Sequence, residues 1–299
     1  MSSTKHIYQS LAVNVAIAVA KGVAAVFTGS GAMLAETLHS SADCTNQLLL
    51  LLGVRGAQKP PDDSHPLGYG RSMYFFSFIV ALLLFSGGGV FSIYEGAHKF
   101  EHPEPVEHVW LGLGILFFSI VMEGWATWGN LKEMKVRRGA QPLLQYLKQT
   151  KDSDLIVVFG ENSAAVMGLT IAITSMVLAW QTGDGRWDAV GSILIGVVLV
   201  AVAIFLGREV MSLLLGESAD PRVEKVVRAR VEADPNIEEL LRIITLQQGP
   251  GEVVVAMKVR MAEGLSGAEI VEAINALERN LREHVPEVKW SFVEPDTKA

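Results

Sequence analysis

The sequence predicts a mainly α membrane protein: six transmembrane helices followed by a small cytoplasmic α+β domain with the element order α-β-β-α-β. Three observations carry this expectation. Half of the 299 residues are hydrophobic and only 19% are charged, against about 25% in ordinary soluble domains. The apolar residues gather into six long runs before about residue 215. From Glu217 onward the chain reads like a soluble protein. The domain boundary is therefore expected between residues 1–216 and 217–299.

Crossing ~30 Å of hydrocarbon takes about 20 mainly apolar residues in a helix. The runs at roughly 9–30, 33–54, 73–97, 107–130, 154–180 and 186–214 meet this need. The third, with FFSFIVALLLFSGGGVF, and the sixth, with AVGSILIGVVLVAVAIFLG, are the clearest. The first lacks the basic region, short core and cleavage site of a signal peptide, and it carries Lys21 midway.

Basic residues then orient the spans. Arg55, Lys59 and Arg71 follow the second run, and Lys132, Lys135, Arg137, Arg138, Lys148 and Lys151 follow the fourth. The opposite turns hold only Lys99 and Arg186. Both termini are expected in the cytoplasm of a multi-pass protein, in the cell inner membrane.

The tail reads as a helix opened by Pro221, two strands around QGPG, a helix capped by Ser266 and a last strand, EVKWSFVEP. This order suits an open sheet with helices on one face. The net charge of −7 speaks against nucleic-acid binding. The single cysteine, Cys44, cannot close an internal disulfide.

Ionisable residues at bilayer depth cost several kcal/mol on insertion, so each is a functional candidate. His39 and Asp43 stand four apart, on one helix face, with Asn46 continuing that face and Glu36 preceding it. Such a pair can grip one divalent cation, and nitrogen with oxygen suits zinc and its first-row neighbours. The spacing fits equally a His–Asp hydrogen bond that packs helices together. In the fifth run Glu161 and Asn162 lie among Gly160, Ala164, Ala165 and Gly168. Small residues permit close helix approach, so Glu161 could complete a site or serve packing.

The segments TGSGAMLAETLHSSADCTNQ (28–47), HPLGYGR (65–71), GENSAAVMG (160–168), DAVGSILIG (188–196) and LLLGES (213–218) together resemble the cation diffusion facilitators. The branch that includes the mitochondrial zinc transporter is the nearest. The likeness covers nearly the whole chain, including a tail similar to the family's metallochaperone-like domain. It implies a homodimeric exporter of a divalent metal in a lipid bilayer, zinc first, exchanged for protons, with no small organic substrate. It implies a site between the second and fifth spans, where His39 and Asp43 match the family's His-x-x-x-Asp. The fifth span departs from the commoner pattern: Asn162 stands at the Asp position and Val158 four before it. The expected ligand set is thus His39, Asp43, Glu161 and Asn162.

Other candidates are weaker. Asp62 and His65 lie where some relatives bind a second metal, but Tyr69 replaces a further histidine there; capping of the loop is the competing reading. Glu123 shares a helix face with Thr127 and Asn130, and it is expected either to pair with Lys21 or, with Asn46, to line the path. Selectivity for manganese, iron or cobalt, a membrane-embedded metal-dependent enzyme and an inert membrane anchor for a sensing tail are the competing functions. The enzyme reading finds no HExxH and no Gly-x-Ser-x-Gly, so the chain is read as non-enzymatic.

Overall fold

A computed structural model of the protein describes residues 2–151 and 153–297. The side chain of Lys148, counted above among the orienting charges, lies outside the described residues.

Six long helical stretches coincide with the six apolar runs. They are α1 (Ser2–Thr28), α2 (Gly31–Ala57), a third made of α3 (Ser72–Leu83), a π-helical turn (Leu84–Val90) and α4 (Phe91–Glu101), then α5 (Val109–Arg138), α7 (Ser153–Thr182) and α8 (Arg186–Leu215). A short helix, α6 (Leu143–Gln149), precedes α7 and was not expected from the sequence. Among the described residues four stretches qualify as membrane spans by length and apolarity: Ser72–Glu101, Val109–Arg138, Leu155–Thr182 and Arg186–Leu215. Among the described residues the apolar part of α1 is Asn14–Thr28. The second helix falls short for a chemical reason: it carries Glu36, His39, Asp43, Asn46 and Gln47 along its middle. Each helix is nonetheless 27 residues long, about 40 Å at the α-helical rise.

The π turn has a local cause. Residues 86–89 read Ser-Gly-Gly-Gly, and Phe91 donates its N–H to the carbonyl of Ser86, five residues back. Such turns appear mostly as single insertions within α-helices, and three consecutive glycines remove the side chains that would crowd a widened turn. Close packing against α8 follows. A Cβ added at Gly96 would stand 2.8 Å from the Ala189 carbonyl oxygen, and one added at Gly196 would stand 2.7 Å from that of Gly89.

The described chain divides into two compact units: Met1–Leu52, Phe76–Pro142 and Asp154–Glu209 form one, and Gly53–Phe75, Leu143–Ser153 and Val210–Ala299 form the other. In the first, Phe117, Phe118, Trp125 and Trp128 of α5 point outward, more than half exposed, an apolar surface suited to lipid. Asp188, in the first turn of α8, accepts hydrogen bonds from the Ser30 hydroxyl and the Gly31 N–H at the start of α2. Ser30 in turn caps that helix by accepting from the Met33 N–H at 3.0 Å.

The second unit contains α9 (Pro221–Glu232), β1 (Ile237–Gly249), β2 (Glu252–Met261), α10 (Gly267–His284) and β3 (Val288–Pro295). The sheet order is β1-β2-β3, with β1 and β2 antiparallel and β2 and β3 parallel. Pro221 sits in the first turn of α9 behind an Asp220 cap. Ser266 and Glu269 form a reciprocal capping box on α10. Val227, Val231, Val253, Val255, Val259, Leu277 and Leu281 fill the core between sheet and helices. The loop carrying HPLGYGR meets the β1–β2 turn so closely that a Cβ on Gly249 would lie 2.7 Å from the Gly70 Cα. Arg71 donates to the Leu214 carbonyl at 3.4 Å, and Lys151 pairs with Glu217.

Candidate metal site on the second and seventh helices

The polar face of α2 is built by its 3.6-residue period. His39 and Asp43 lie one turn apart, with His39 Nε2 and Asp43 Oδ2 at 3.8 Å, too far for a hydrogen bond. Asn46, one turn further, is fully buried and donates its amide to Glu161 Oε1 of α7. Glu161 is 8% exposed. The structure thus joins α2 to α7 through Asn46 and Glu161. Asn162 meets α5 through its backbone, whose carbonyl lies 3.5 Å from the Thr127 hydroxyl.

Several polar atoms on this face are buried without a well-formed hydrogen bond: both ring nitrogens of His39, whose ring nonetheless faces the Glu161 backbone, Asp43 Oδ1 and Asn46 Oδ1. Leaving such an atom unsatisfied costs about 1–3 kcal/mol, so four on one helix face are unusual in a region built only for stability. Their chemistry fits a borderline divalent cation: one imidazole, carboxylates and an amide oxygen. Among the described residues, however, no three His, Cys, Asp or Glu side chains stand close enough together to hold a metal ion. The donors form an open set, not a closed cage.

Lys21 does not pair with Glu123, one of the two roles the sequence suggested. Its ammonium binds Glu36 Oε2 at 3.1 Å and the Ser40 hydroxyl at 2.8 Å. Helical spacing on α5 says nothing about which neighbour reaches Lys21 first, and Glu36 lies nearer. Glu123 is half-buried and stands within Coulombic reach of Asp43, Lys21 and His39.

Asp62 and His65 lie in a turn that satisfies itself. Asp62 accepts from the Tyr69 hydroxyl at 2.7 Å, the Ser64 hydroxyl at 2.7 Å and the His65 N–H at 2.8 Å. These bonds, that from Tyr69 first, hold its carboxyl below the usual carboxylate range. The His65 and Tyr69 rings stack at 4.1 Å. His98, His102 and His108 are all exposed.

Two features escaped the sequence reading. The Lys21–Glu36–Ser40 cluster was foreshadowed by a lysine in an apolar run and by a glutamate three residues before His39. The Asp188 bond to the start of α2 had no local signal, since its partners lie about 158 positions away.

Comparison with known proteins identifies the family. The model of the cation efflux transmembrane domain matches residues 7–215. The proton-coupled zinc antiporter SLC30A9, mitochondrial, of Xenopus laevis is 34% identical over 235 residues, covering 78% of this chain and 42% of that protein. The human protein of the same name is 32% identical over 235 residues, 78% of this chain and 41% of its own. Metal tolerance protein C4 of Arabidopsis thaliana is 28% identical over 258 residues, 86% of this chain and 55% of its own. The chain thus spans about half the length, or less, of these relatives. With a family match over more than half of its residues, the chain belongs to the cation efflux family.

Proposed function

We propose that the chain exports a divalent metal cation, zinc first, from the cytoplasm in exchange for protons. The cation binds between α2 and α7, held by His39, Asp43 and Glu161, with Asn162 supplying a neutral oxygen. Residues 1–216 form a six-span membrane domain, α1 and α2 crossing beside the four strongly apolar stretches, with both termini cytoplasmic. Residues 217–299 form the cytoplasmic domain. The working unit is a homodimer in a lipid bilayer, and the cell inner membrane is the expected location.

One observation carries this reading: unpartnered buried nitrogen and oxygen atoms of His39, Asp43 and Asn46 stand on a face that reaches Glu161. The relatives known as proton-coupled zinc antiporters support zinc and proton coupling. A donor set rich in oxygen leaves manganese, iron or cobalt as the second reading. The open face of the sheet, with Ile244 and Phe292 half exposed, supports a role for the tail in dimerisation.

The test is metal flux into proteoliposomes under an imposed proton gradient. Flux of Zn²⁺ that rises with the gradient is expected. Absence of flux for Zn²⁺, Mn²⁺, Fe²⁺ and Co²⁺ alike would overturn the proposal.

A further inference from the structure

The ion pair one turn before His39 has no place in the ligand set above. Lys21 and Glu36 are both fully buried, side chains included. The ammonium also holds Ser40, the residue after His39, so it grips α2 on either side of the histidine. The second oxygen of Glu36 has no hydrogen-bond partner. It lies against α7, where a Cβ added at Gly168 would stand 2.2 Å from it. Gly168 is seven residues, two helical turns, from Glu161 and on the same face. Glu36 therefore stands between the same two helices as the metal site, with one oxygen committed to Lys21 and the other free to accept.

Charge supplies the consequence. Glu36, Asp43, Glu123 and Glu161 bring four carboxylates to this region, and Lys21 brings an ammonium. The field of Lys21 reaches His39, Asp43 and Glu123. In a low-dielectric interior a unit charge within one or two helical turns strongly alters the binding of a dication. A buried pair of this kind is weak support for stability by itself, since desolvation offsets much of the attraction.

We propose that Lys21 is a positioning and specificity-determining residue for transport: its ammonium keeps Glu36 out of the metal's ligand set and supplies a fixed positive charge that limits how tightly the site holds a dication. The inference rests on the proposed site between α2 and α7. Removing the ammonium frees a fourth carboxylate beside the site and deepens the well from which the metal must leave. Removing the carboxylate leaves Lys21 as an unpaired cation that repels the metal.

The experiment is Zn²⁺ titration into the purified full-length protein, paired with flux measurements in proteoliposomes. Lys21→Met should tighten Zn²⁺ binding by about tenfold or more and lower both KM and maximal flux, because release slows. Glu36→Gln should weaken binding by a similar factor. Lys21→Met/Glu36→Gln should return near the parent affinity, and Lys21→Arg, which keeps the charge, should stay near it throughout. A pair that only packs helices would shift both single variants the same way or neither. Either result, with Asp43→Ala losing binding, overturns the inference while sparing the site. Should Lys21→Met fail to fold, the double variant is compared with Glu36→Gln alone; it must bind more tightly, and equal affinities overturn the proposal. An Asp43→Ala protein with parent affinity would instead overturn the site and, with it, this inference.

Discussion

The polar face of α2 and the sheet domain of the tail treat buried polar groups in opposite ways. In the tail most of them are answered locally. Gln247 donates to the Gly249 carbonyl at 2.6 Å and the Thr245 hydroxyl accepts from the Ala219 N–H at 3.1 Å; Ser291 Oγ is the exception among the described residues of the tail. On α2, His39, Asp43, Asn46 and Glu36 all keep buried atoms without partners. A native fold rarely leaves such atoms unanswered. The tail is organised to persist in one arrangement, whereas the α2 face leaves donor atoms open, as the proposed metal site requires.

The largest effect that could break this contrast is the loss of an anion from the helix site. Asp43→Ala or Glu161→Ala removes a charge that a buried dication needs, and leaves the cation uncompensated. Transport in proteoliposomes should fall to background while the purified variants stay folded. Parent rates in both variants would mean that the unpartnered atoms have no part in transport.

The tail offers the complementary test. Leu281 is fully buried in the core beside Val227 and Val231. Leu281→Ala should cost about 2–5 kcal/mol through lost burial and the cavity left behind. Limited proteolysis of the full chain should then cut within 237–295 at protease levels that spare the parent, while the Zn²⁺ affinity of the α2 site is unchanged. Loss of Zn²⁺ binding in step with tail cleavage would show that the two regions do not divide their roles in this way.

The contrast was unevenly legible in the sequence. The tail's elements were readable because their signals are local: Pro221 at a helix start, Ser266 before a helix, a valine-rich run at 253–259 and alternation in EVKWSFVEP. The i,i+4 spacing of His39 and Asp43 likewise put them on one face. What lies across helices was not readable. Nothing in the spacing of α2 selects Glu36 as the partner of Lys21, or Asp188 as the anchor of the Ser30–Gly31 turn, because both depend on which helices are neighbours. The π turn at Leu84–Val90 was hidden for another reason. An apolar run with three glycines satisfies a membrane-span pattern whether its hydrogen bonds skip four residues or five. The count of spans also outran composition, since α2 gives up apolarity in its middle to carry the polar face.

Acidity should act on the two regions differently. A ligand imidazole must be neutral and ligand carboxylates ionised, so protons compete with the metal. Zn²⁺ affinity should be highest near pH 8 and fall progressively as pH drops, because protons compete for the imidazole and the carboxylates of the proposed site. On the tail, the Ser266 bonds hold the Glu269 carboxyl below its usual range, so the capping box stays ionised until well into acid. Between pH 8 and 5.5 metal affinity should therefore drop at least about tenfold, with circular dichroism unchanged. A flat affinity over that interval would mean that proton-competing groups of the proposed ligand set do not hold the metal.

The smallest effect concerns Asn162, and it sharpens the contrast more than it threatens it. A neutral amide offers a carbonyl oxygen but no charge, so it draws a dication less than a carboxylate and has no proton to exchange. Its backbone carbonyl already lies near Thr127 of α5, and its side chain is half-buried. Asn162→Asp should tighten Zn²⁺ binding several-fold and steepen its pH dependence, because one more titrating group joins the site. Maximal flux should fall, since another anion slows release. Titration of Zn²⁺ at pH 8 and pH 6 into the purified parent and variant measures both effects. A folded variant with unchanged affinity at both pH values would assign Asn162 to packing, like the satisfied amides of the tail, and leave His39, Asp43 and Glu161 as the metal's protein ligands.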